Sequence, residues 1–287
     1  MINKLGIIAS SKRTANLLLD TYPNANHAFS LRKLRTAYDG FVLKVRDDST
    51  DNEADVSFDS NDTVSDSSPV SNLTGGSGST LGAWRGSNVY VVKWYDQSGN
   101  GFDISQSSES FQPKLISGGN YYTDGANGRI SLRGHGDQLK ETSSGTLDQP
   151  VTIVAVTDVW TVSAHRYLCD GGFASSSGER QALVLLSSDF DMWAGGSFVG
   201  GATVTADNWQ WFALFNGSSS ELSMNGTNQT SLNPGTNGCR ALSLFSRYNA
   251  ANTWRGTIQE FIQWGSDRSS ERSAIETTIN EYYGTYS

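Results

Sequence analysis

The side chains best suited to nucleophilic or metal chemistry are few and scattered along this sequence. The three histidines, His27, His135 and His165, are far apart and belong to no HExxH pattern. Cys169 and Cys239 have no CxxC spacing, and either two buried thiols or a disulfide fits them. No Gly-x-Ser-x-Gly elbow and no phosphate-binding loop with Lys-Ser/Thr occurs. We therefore predict no metal site and no cofactor.

The charge balance excludes two classes of anionic partner. The formal net charge is −8, whereas nucleic acid is bound through clustered Lys and Arg, and an anionic membrane surface likewise attracts basic segments. Sugars remain, because their C–H faces stack on aromatic rings, and the chain has eight Trp and eleven Tyr. Candidates for ligand contact near predicted loops or strand ends are Trp84, Trp193, Trp209, Trp254, Tyr248 and Arg247.

Turn residues divide the chain into many short apolar segments, a pattern typical of an all-β protein. Pairs such as Asn216-Gly217 and Asn225-Gly226 favour tight turns between strands. The predicted strands are 41–46, 89–95, 151–156, 159–162, 183–186, 192–193, 209–215, 222–224, 242–245 and 257–264. Short strands at this spacing predict a sandwich of two antiparallel sheets.

Three helical signals accompany the strands. Leu17–Leu19 precede Pro23, which should end a helix there, and a second short helix is predicted over Ser30–Tyr38. A closing helix is predicted over about Ser269–Tyr283, with Gly284 in the position of a C-cap glycine.

Residues 47–80 form an acidic, Ser/Gly-rich segment that we predict to be a loop. Residues 47–66 include eight acidic and no basic residues, which fits either a solvated loop or an ion site, although no EF-hand pattern occurs. The apolar run Leu5–Ala9 is too short for an export signal, and no window approaches a membrane span. We divide the chain into an extension, 1–26, and one domain, 27–287.

Two segments resemble the catalytic domain of fungal-type α-L-arabinofuranosidases. His27–Gly40, continued by Val45-Arg46 and Asp51–Asp55, is similar to one stretch of that family. Tyr95–Gly101 matches its Tyr-Asp-Gln-Ser-Gly-x-Gly pattern. A weaker likeness continues to the closing helix, so that it covers roughly residues 27–284. The resemblance implies a concanavalin A-like or laminin-G-like jelly roll.

The second of these segments has two interpretations. An Asp beside glycines makes an Asx-type turn, so Tyr95–Gly101 is interpreted as a structural corner after the strand at 89–95. Alternatively, Asp96 or Asp103 belongs to a ligand or ion site.

The resemblance also indicates where catalytic carboxylates should be. A retaining glycosidase needs two carboxyl groups about 5–5.5 Å apart. The position matching the family's nucleophile holds Gln181, and the position matching its acid/base holds Arg247. An amide cannot act as the carboxylate nucleophile, and a guanidinium does not release a proton at working pH. We therefore expect no hydrolysis.

These observations support two functional hypotheses. The first is a non-enzymatic, virion-associated structural, decoration or glycan-receptor-binding protein. Jelly rolls of this type usually act outside cells, and a bacteriophage protein assembles inside the cell without an export signal. Residues 1–26 would then anchor it, its partners would be glycans or other virion or surface proteins, and a homo-oligomer is compatible with this role. Trp254, beside Arg255 and near Arg247, would form the rim of the site.

The second hypothesis is an active arabinofuranosidase whose carboxylates lie elsewhere in the sequence. The candidates are Glu179, Asp189, Asp191 and Glu260. This alternative requires two of them to converge in one cleft.

Overall fold

The apolar segments form short β-strands, as predicted. The computed structural model describes residues 17–123, 128–162, 164–172 and 178–287. Within these residues the strands are β1 (Ala25–Ser30), β2 (Leu43–Asp47), β3 (Glu53–Val56), β4 (Val70–Ser71), β5 (Val89–Trp94), β6 (Ile104–Ser105), β7 (Lys114–Ser117), β8 (Asn120–Tyr121), β9 (Leu132–His135), β10 (Leu139–Glu141), β11 (Val151–Val159), β12 (Arg166–Asp170), β13 (Ala182–Leu186), β14 (Asp189–Trp193), β15 (Val199–Thr203), β16 (Asn208–Phe215), β17 (Ser220–Met224), β18 (Thr227–Leu232), β19 (Leu242–Leu244) and β20 (Arg255–Trp264). The helices are α1 (Leu18–Thr21), α2 (Leu81–Trp84) and α3 (Arg272–Tyr283), with 3₁₀ turns at Glu109–Phe111, Gly217–Ser219 and Ser269–Glu271.

The strands pair antiparallel in two layers that are joined at one side. In the first layer β18, β17, β16, β11 and β20 are neighbours, and β1 and β9 share the outer edge of β20. In the second layer β4, β3, β2 and β5 are neighbours, and β6 and β7 share the next edge. From β6 the second layer continues through β10, β19, β12, β13, β14 and β15. The pairing of β7 with β9 connects the layers, which confirms the predicted all-β sandwich and nearly closes it.

The main core lies between the two layers. Alternate residues of β11 and β16, such as Ile153 and Trp211, meet residues of the opposite layer such as Leu183 and Phe190. Phe190 stacks on Trp211 with ring centroids 3.7 Å apart. Such alternation is what a period-2 strand produces when one face is buried.

Helix α3 covers the outer face of the first layer and creates a second apolar cluster. Ile275 and Ile279 of α3 join Val154, Phe212 and Ile262 in this cluster. β11 is therefore buried on both faces, which explains its nearly continuous apolar sequence. The predicted C-cap is confirmed, since Gly284 is left-handed with φ 63°.

Two local predictions were wrong. No helix forms over residues 30–38, because the backbone N–H groups of Lys33 and Leu34 bond to Asp62 O and Gln97 Oε1 instead of to a helical turn. No separate strand forms at 159–162, because β11 continues to Val159 and then ends.

No helix in the described part of the chain is long and apolar enough to cross a membrane. The acidic segment contains β3 and β4 rather than loop alone. Among the described residues, no group of three His, Cys, Asp or Glu side chains is placed to hold a metal ion.

Candidate functional site

A buried ion pair lies on the outer face of the second layer, where β12 ends and β13 begins. Asp170 is 0% exposed. Arg180 donates two hydrogen bonds to it, from Nε to Oδ1 at 2.7 Å and from Nη2 to Oδ2 at 2.8 Å. The backbone N–H groups of Gly172 and Tyr248 donate to the same carboxylate at 2.9 and 3.0 Å. Four donors therefore satisfy Asp170, as a buried charge requires.

Three aromatic rings surround the guanidinium of this pair. The Arg180 Cζ atom lies 5.3 Å from the ring centroid of Tyr167, 5.2 Å from that of Trp193 and 5.6 Å from that of Tyr248. Such cation–π contacts are strongest where the cation is desolvated. Burial lowers the pKa of Arg180, but the hydrogen bonds and the charge of Asp170 outweigh that effect, and the pKa is raised overall. We call Tyr167, Asp170, Arg180, Trp193 and Tyr248 the Arg180 cluster.

The cluster reaches solvent through a rim of partly exposed side chains. Arg247 lies 5.3 Å from the ring of Tyr248, and His165 stacks on Tyr167 with centroids 5.1 Å apart. Phe198 is 40% exposed and packs edge-on against His165 at 5.8 Å. Burial, then the charges of Arg247 and Arg180, lower the pKa of His165, so this rim holds a neutral imidazole at neutral pH.

The structure brings together Trp193, Tyr248 and Arg247 of the predicted ligand residues. Trp193 and Tyr248 both contact Arg180, and Arg247 contacts Tyr248. Trp254 does not form the expected rim, because it is only 1% exposed and packs edge-on against Phe190 in the core.

Asp96 is also placed differently from a ligand residue. Its carboxylate accepts hydrogen bonds from the backbone N–H groups of Ala28 (2.9 Å), Ser98 (2.9 Å) and Phe102 (3.1 Å), and it is 4% exposed. Gly99 and Gly101 have φ angles of 96° and 74° in this segment. The contacts are those of the structural corner, which ties β5 to β1.

Sequence inspection missed Asp170, Arg180 and Tyr167 as members of this site. Asp170 and Arg180 are ten residues apart in the chain, and the pairing of β12 with β13 places them together. The one available signal was a charged residue, Asp170, directly after an apolar strand.

The positions that the arabinofuranosidase resemblance assigned to catalysis hold no carboxylate. Gln181 is 2% exposed, and its Nε2 donates to Asn237 O at 2.8 Å. Arg247 lies at the rim, and no hydrogen bond within the described residues joins it to Gln181.

The four alternative carboxylates are distributed over the molecule. Glu260 is fully buried and bound by Arg32 at 2.8 and 2.9 Å, while Glu179 pairs with Arg240 on the surface at 3.4 Å. Asp189 and Asp191 alone are neighbours, and both lie on β14. Burial and then the charge of Asp189 raise the pKa of Asp191.

Cys169 and Cys239 are buried free thiols. Burial raises the pKa of Cys239 to about 12 and that of Cys169 further, so neither side chain supplies a thiolate at neutral pH.

Solved structures share this fold. No protein-family model matches the sequence, and no curated protein matches it. A GH54 α-L-arabinofuranosidase soaked with a cyclic sulfate inhibitor superposes with a TM-score of 0.65 and 14% identity, over 89% of this chain and 62% of that chain. An arabinofuranosidase complexed with arabinofuranosyl-α-1,2-xylobiose gives 0.63 and 13%, with the same coverage of both chains. A mutant GH54 α-L-arabinofuranosidase soaked with 4-nitrophenyl α-L-arabinofuranoside gives 0.64 and 15%, again over 89% and 62%.

The chain thus spans 62% of the length of these arabinofuranosidases. At 13–15% identity the likeness establishes a common fold and nothing finer. The resemblance seen in Tyr95–Gly101 is confirmed to that extent.

Proposed function

We propose that the protein binds a glycan at the rim of the Arg180 cluster and does not cleave it. The observation that carries the proposal is the convergence of Trp193, Tyr248 and Phe198 around Arg247 and His165. Aromatic faces supply the apolar contact for sugar rings, and the guanidinium and imidazole supply hydrogen bonds to hydroxyl groups.

The absence of hydrolysis follows from how the carboxylates are used. Asp170, the one acidic residue in the cluster, is held by four donors and is ion-paired with Arg180. Gln181 stands where the resemblance places the nucleophile, and Arg247 stands where it places the acid/base. A nucleophilic carboxylate and a proton donor are both required for the retaining mechanism.

The finer proposal is that this binding serves a virion or cell surface, as a decoration or receptor-binding protein. It rests on the sequence hypothesis alone. Residues 1–26 would anchor the chain to the particle, and residues 1–16 of this segment lie outside the described residues. Because Leu18, Leu19 and Ala25 are buried in the second apolar cluster, the test deletes only residues 1–16. This deletion should abolish incorporation into particles while leaving glycan binding intact; normal incorporation of the truncated chain would refute the anchor.

Release of nitrophenol from 4-nitrophenyl α-L-arabinofuranoside tests the non-enzymatic assignment. We expect no release above the uncatalysed rate from the native protein beside an active control enzyme. Turnover by the native protein would overturn the assignment. Its loss in Asp191→Asn would then place the chemistry on β14. A Gln181→Glu/Arg247→Asp variant tests whether carboxylates at the nucleophile and acid/base positions can restore hydrolysis.

Binding to arabinose-bearing polysaccharide tests the site itself. Trp193→Ala should weaken retention of the protein on the polysaccharide at least tenfold, because it removes the largest ring of the Arg180 cluster. Trp160→Ala is the matched control, since Trp160 is 39% exposed and lies outside the Arg180 cluster. Equal retention of both variants and the native protein would contradict the proposed site.

A further inference from the structure

A row of cationic side chains crosses the sheet away from the Arg180 cluster. Arg46 of β2 pairs with Tyr90 of β5, Tyr90 with Lys114 of β7, and Lys114 with Arg133 of β9. Directly paired residues of antiparallel strands project from the same face, and neighbouring strands lie about 4.8 Å apart. We call Arg46, Tyr90, Lys114 and Arg133 the cationic row.

The two ends of this row differ in how their charge is balanced. Arg46 is paired with Asp51 at 2.7 Å and with Asp48 at 3.7 Å. Among the described residues, no carboxylate oxygen lies within 4.0 Å of the charged groups of Lys114 or Arg133. Instead, the Lys114 ammonium lies 4.8 Å from the ring centroid of Tyr90, and the Arg133 guanidinium 5.6 Å from that of Tyr122.

Like charges placed directly opposite each other on neighbouring strands destabilise a sheet. The protein carries a net charge of −8, so carboxylates are abundant elsewhere on its surface. Lys114 and Arg133 nonetheless face each other with no carboxylate oxygen of the described residues within 4.0 Å, and the more distant charge of Asp137 offsets their repulsion in part, so a bound anion would lower the remaining energetic cost.

The row also lines a cavity of about 430 Å³. Asp48, Glu109, Ser110, Gln112 and Asp137 complete its wall. The volume is within the range of about 300–1,000 Å³ that small-molecule sites span. The wall therefore combines cations, of which Lys114 and Arg133 have no carboxylate oxygen within 4.0 Å in the described part of the chain, with acceptors and a hydroxyl group. These are the partners of a ligand that carries both an anionic group and hydroxyl groups.

Asp137 makes the cavity more receptive to anions at mildly acidic pH. Burial raises its pKa to about 6, although the hydrogen bond from His135 N and the charges of Arg133 and Lys114 oppose this. Glu109 and Asp48 are the other acidic groups of the wall, and Arg46 faces Asp48.

We propose that this cavity binds an acidic sugar unit of a glycan, with its anionic group between Lys114 and Arg133 and its hydroxyl groups on Glu109, Ser110 and Asp137. The site is separate from the Arg180 cluster and does not depend on glycan binding there. A carboxylated and a sulfated sugar share this chemistry, and the experiment distinguishes them.

Isothermal titration calorimetry in 0.15 M salt, with the full chain, tests the proposal. The probes are an oligogalacturonate, a sulfated heparin oligosaccharide, a neutral galacto-oligosaccharide and inorganic phosphate. We expect one of the two acidic oligosaccharides to bind, and the neutral oligosaccharide and phosphate to bind at least tenfold more weakly. The better of the two acidic probes identifies the anionic group.

The decisive variant is Lys114→Gln/Arg133→Gln, which should weaken binding of the acidic probe at least tenfold. Lys33→Gln/Lys140→Gln removes the same charge elsewhere and should leave the affinity unchanged. Thermal unfolding of each variant establishes that it is folded. Equal weakening in both double variants, phosphate binding as tight as sugar binding, or no binding of either acidic probe would overturn the proposal.

Discussion

The Arg180 cluster and the cationic row use positive charge in opposite ways. Arg180 is buried, makes two short hydrogen bonds to Asp170 and is surrounded by three rings. Lys114 and Arg133 are partly exposed and face each other across two strands, and among the described residues no carboxylate oxygen lies within 4.0 Å of their charged groups. The first arrangement satisfies its charge within the fold, whereas the second leaves charge available to a ligand.

This difference shows that the density of charged residues does not locate a binding site. In the Arg180 cluster only the rim can contact a ligand, because the ion pair beneath it is already satisfied. In the cationic row, the charges themselves are what a ligand would contact. The two regions should therefore respond to mutation in opposite ways, and stability measurements can separate them.

The largest effect is expected at Asp170. Asp170→Asn leaves the guanidinium of Arg180 buried without a counter-charge, and breaking a buried pair costs about 3–5 kcal/mol. Urea denaturation should show this decrease in the free energy of unfolding. The control is Glu179→Gln, which removes an exposed pair with Arg240 and should cost about 0–1 kcal/mol.

A second variant sharpens this measurement. Asp170→Leu/Arg180→Met removes both charges and should be less destabilised than Asp170→Asn, because no isolated charge remains. If the free energy of unfolding decreased by amounts within about 1 kcal/mol of each other in Asp170→Asn and Glu179→Gln, the view that Arg180 stabilises the fold would be contradicted.

The sequence predicted the corner and the closing helix because their signals are local. Asp96 and the glycines that follow it are adjacent in the chain, and so are Tyr283 and Gly284. The all-β class followed from turn pairs such as Asn225-Gly226, whose φ angles of 48° and 78° fit a tight hairpin turn.

The two sites depend on contacts between distant segments and could not be predicted in the same way. The cationic row exists only through the register of four strands that span residues 43–135. Trp254 illustrates the opposite error, since its neighbour Arg255 suggested exposure although the ring packs in the core. Local polarity does not reveal which face of a strand a side chain occupies.

An intermediate effect is expected at Asp137, which lies in the wall of the proposed cavity. Its pKa is raised to about 6 in the folded protein, against about 3.9 for an unperturbed Asp. The unfolded chain therefore releases its proton first, and stability falls as the pH rises from about 4 to 6. Asp137→Asn should raise the free energy of unfolding at pH 7.5 by on the order of 1–3 kcal/mol.

This gain should shrink as the pH falls from about 6 to 4. In the unsubstituted protein Asp137 becomes protonated below about pH 6 in the folded state and below about pH 4 in the unfolded state. Denaturation of both proteins at pH 4.5, 6 and 7.5 measures it. The amide can still accept the hydrogen bond from His135 N, so a loss of stability at pH 7.5 would show that the charged carboxylate is needed in the fold.

The smallest effect is expected at Lys114. Lys114→Gln removes one member of the opposed pair with Arg133, and relief of the repulsion should stabilise the protein by about 0.2–1 kcal/mol. The loss of the contact with Tyr90 and of the attraction to Asp137 reduces this gain, so the net change should stay near the lower end. Because the pair is partly exposed, 1 M NaCl should screen the repulsion and abolish the difference in stability between the two proteins.

Thermal unfolding at 0.05 M and 1 M NaCl measures this dependence, with Lys140→Gln as the control. If Lys114→Gln were instead destabilised by 1 kcal/mol or more at low salt, the attraction of Lys114 to Asp137 would outweigh its repulsion from Arg133, and the contrast with Arg180 would no longer hold.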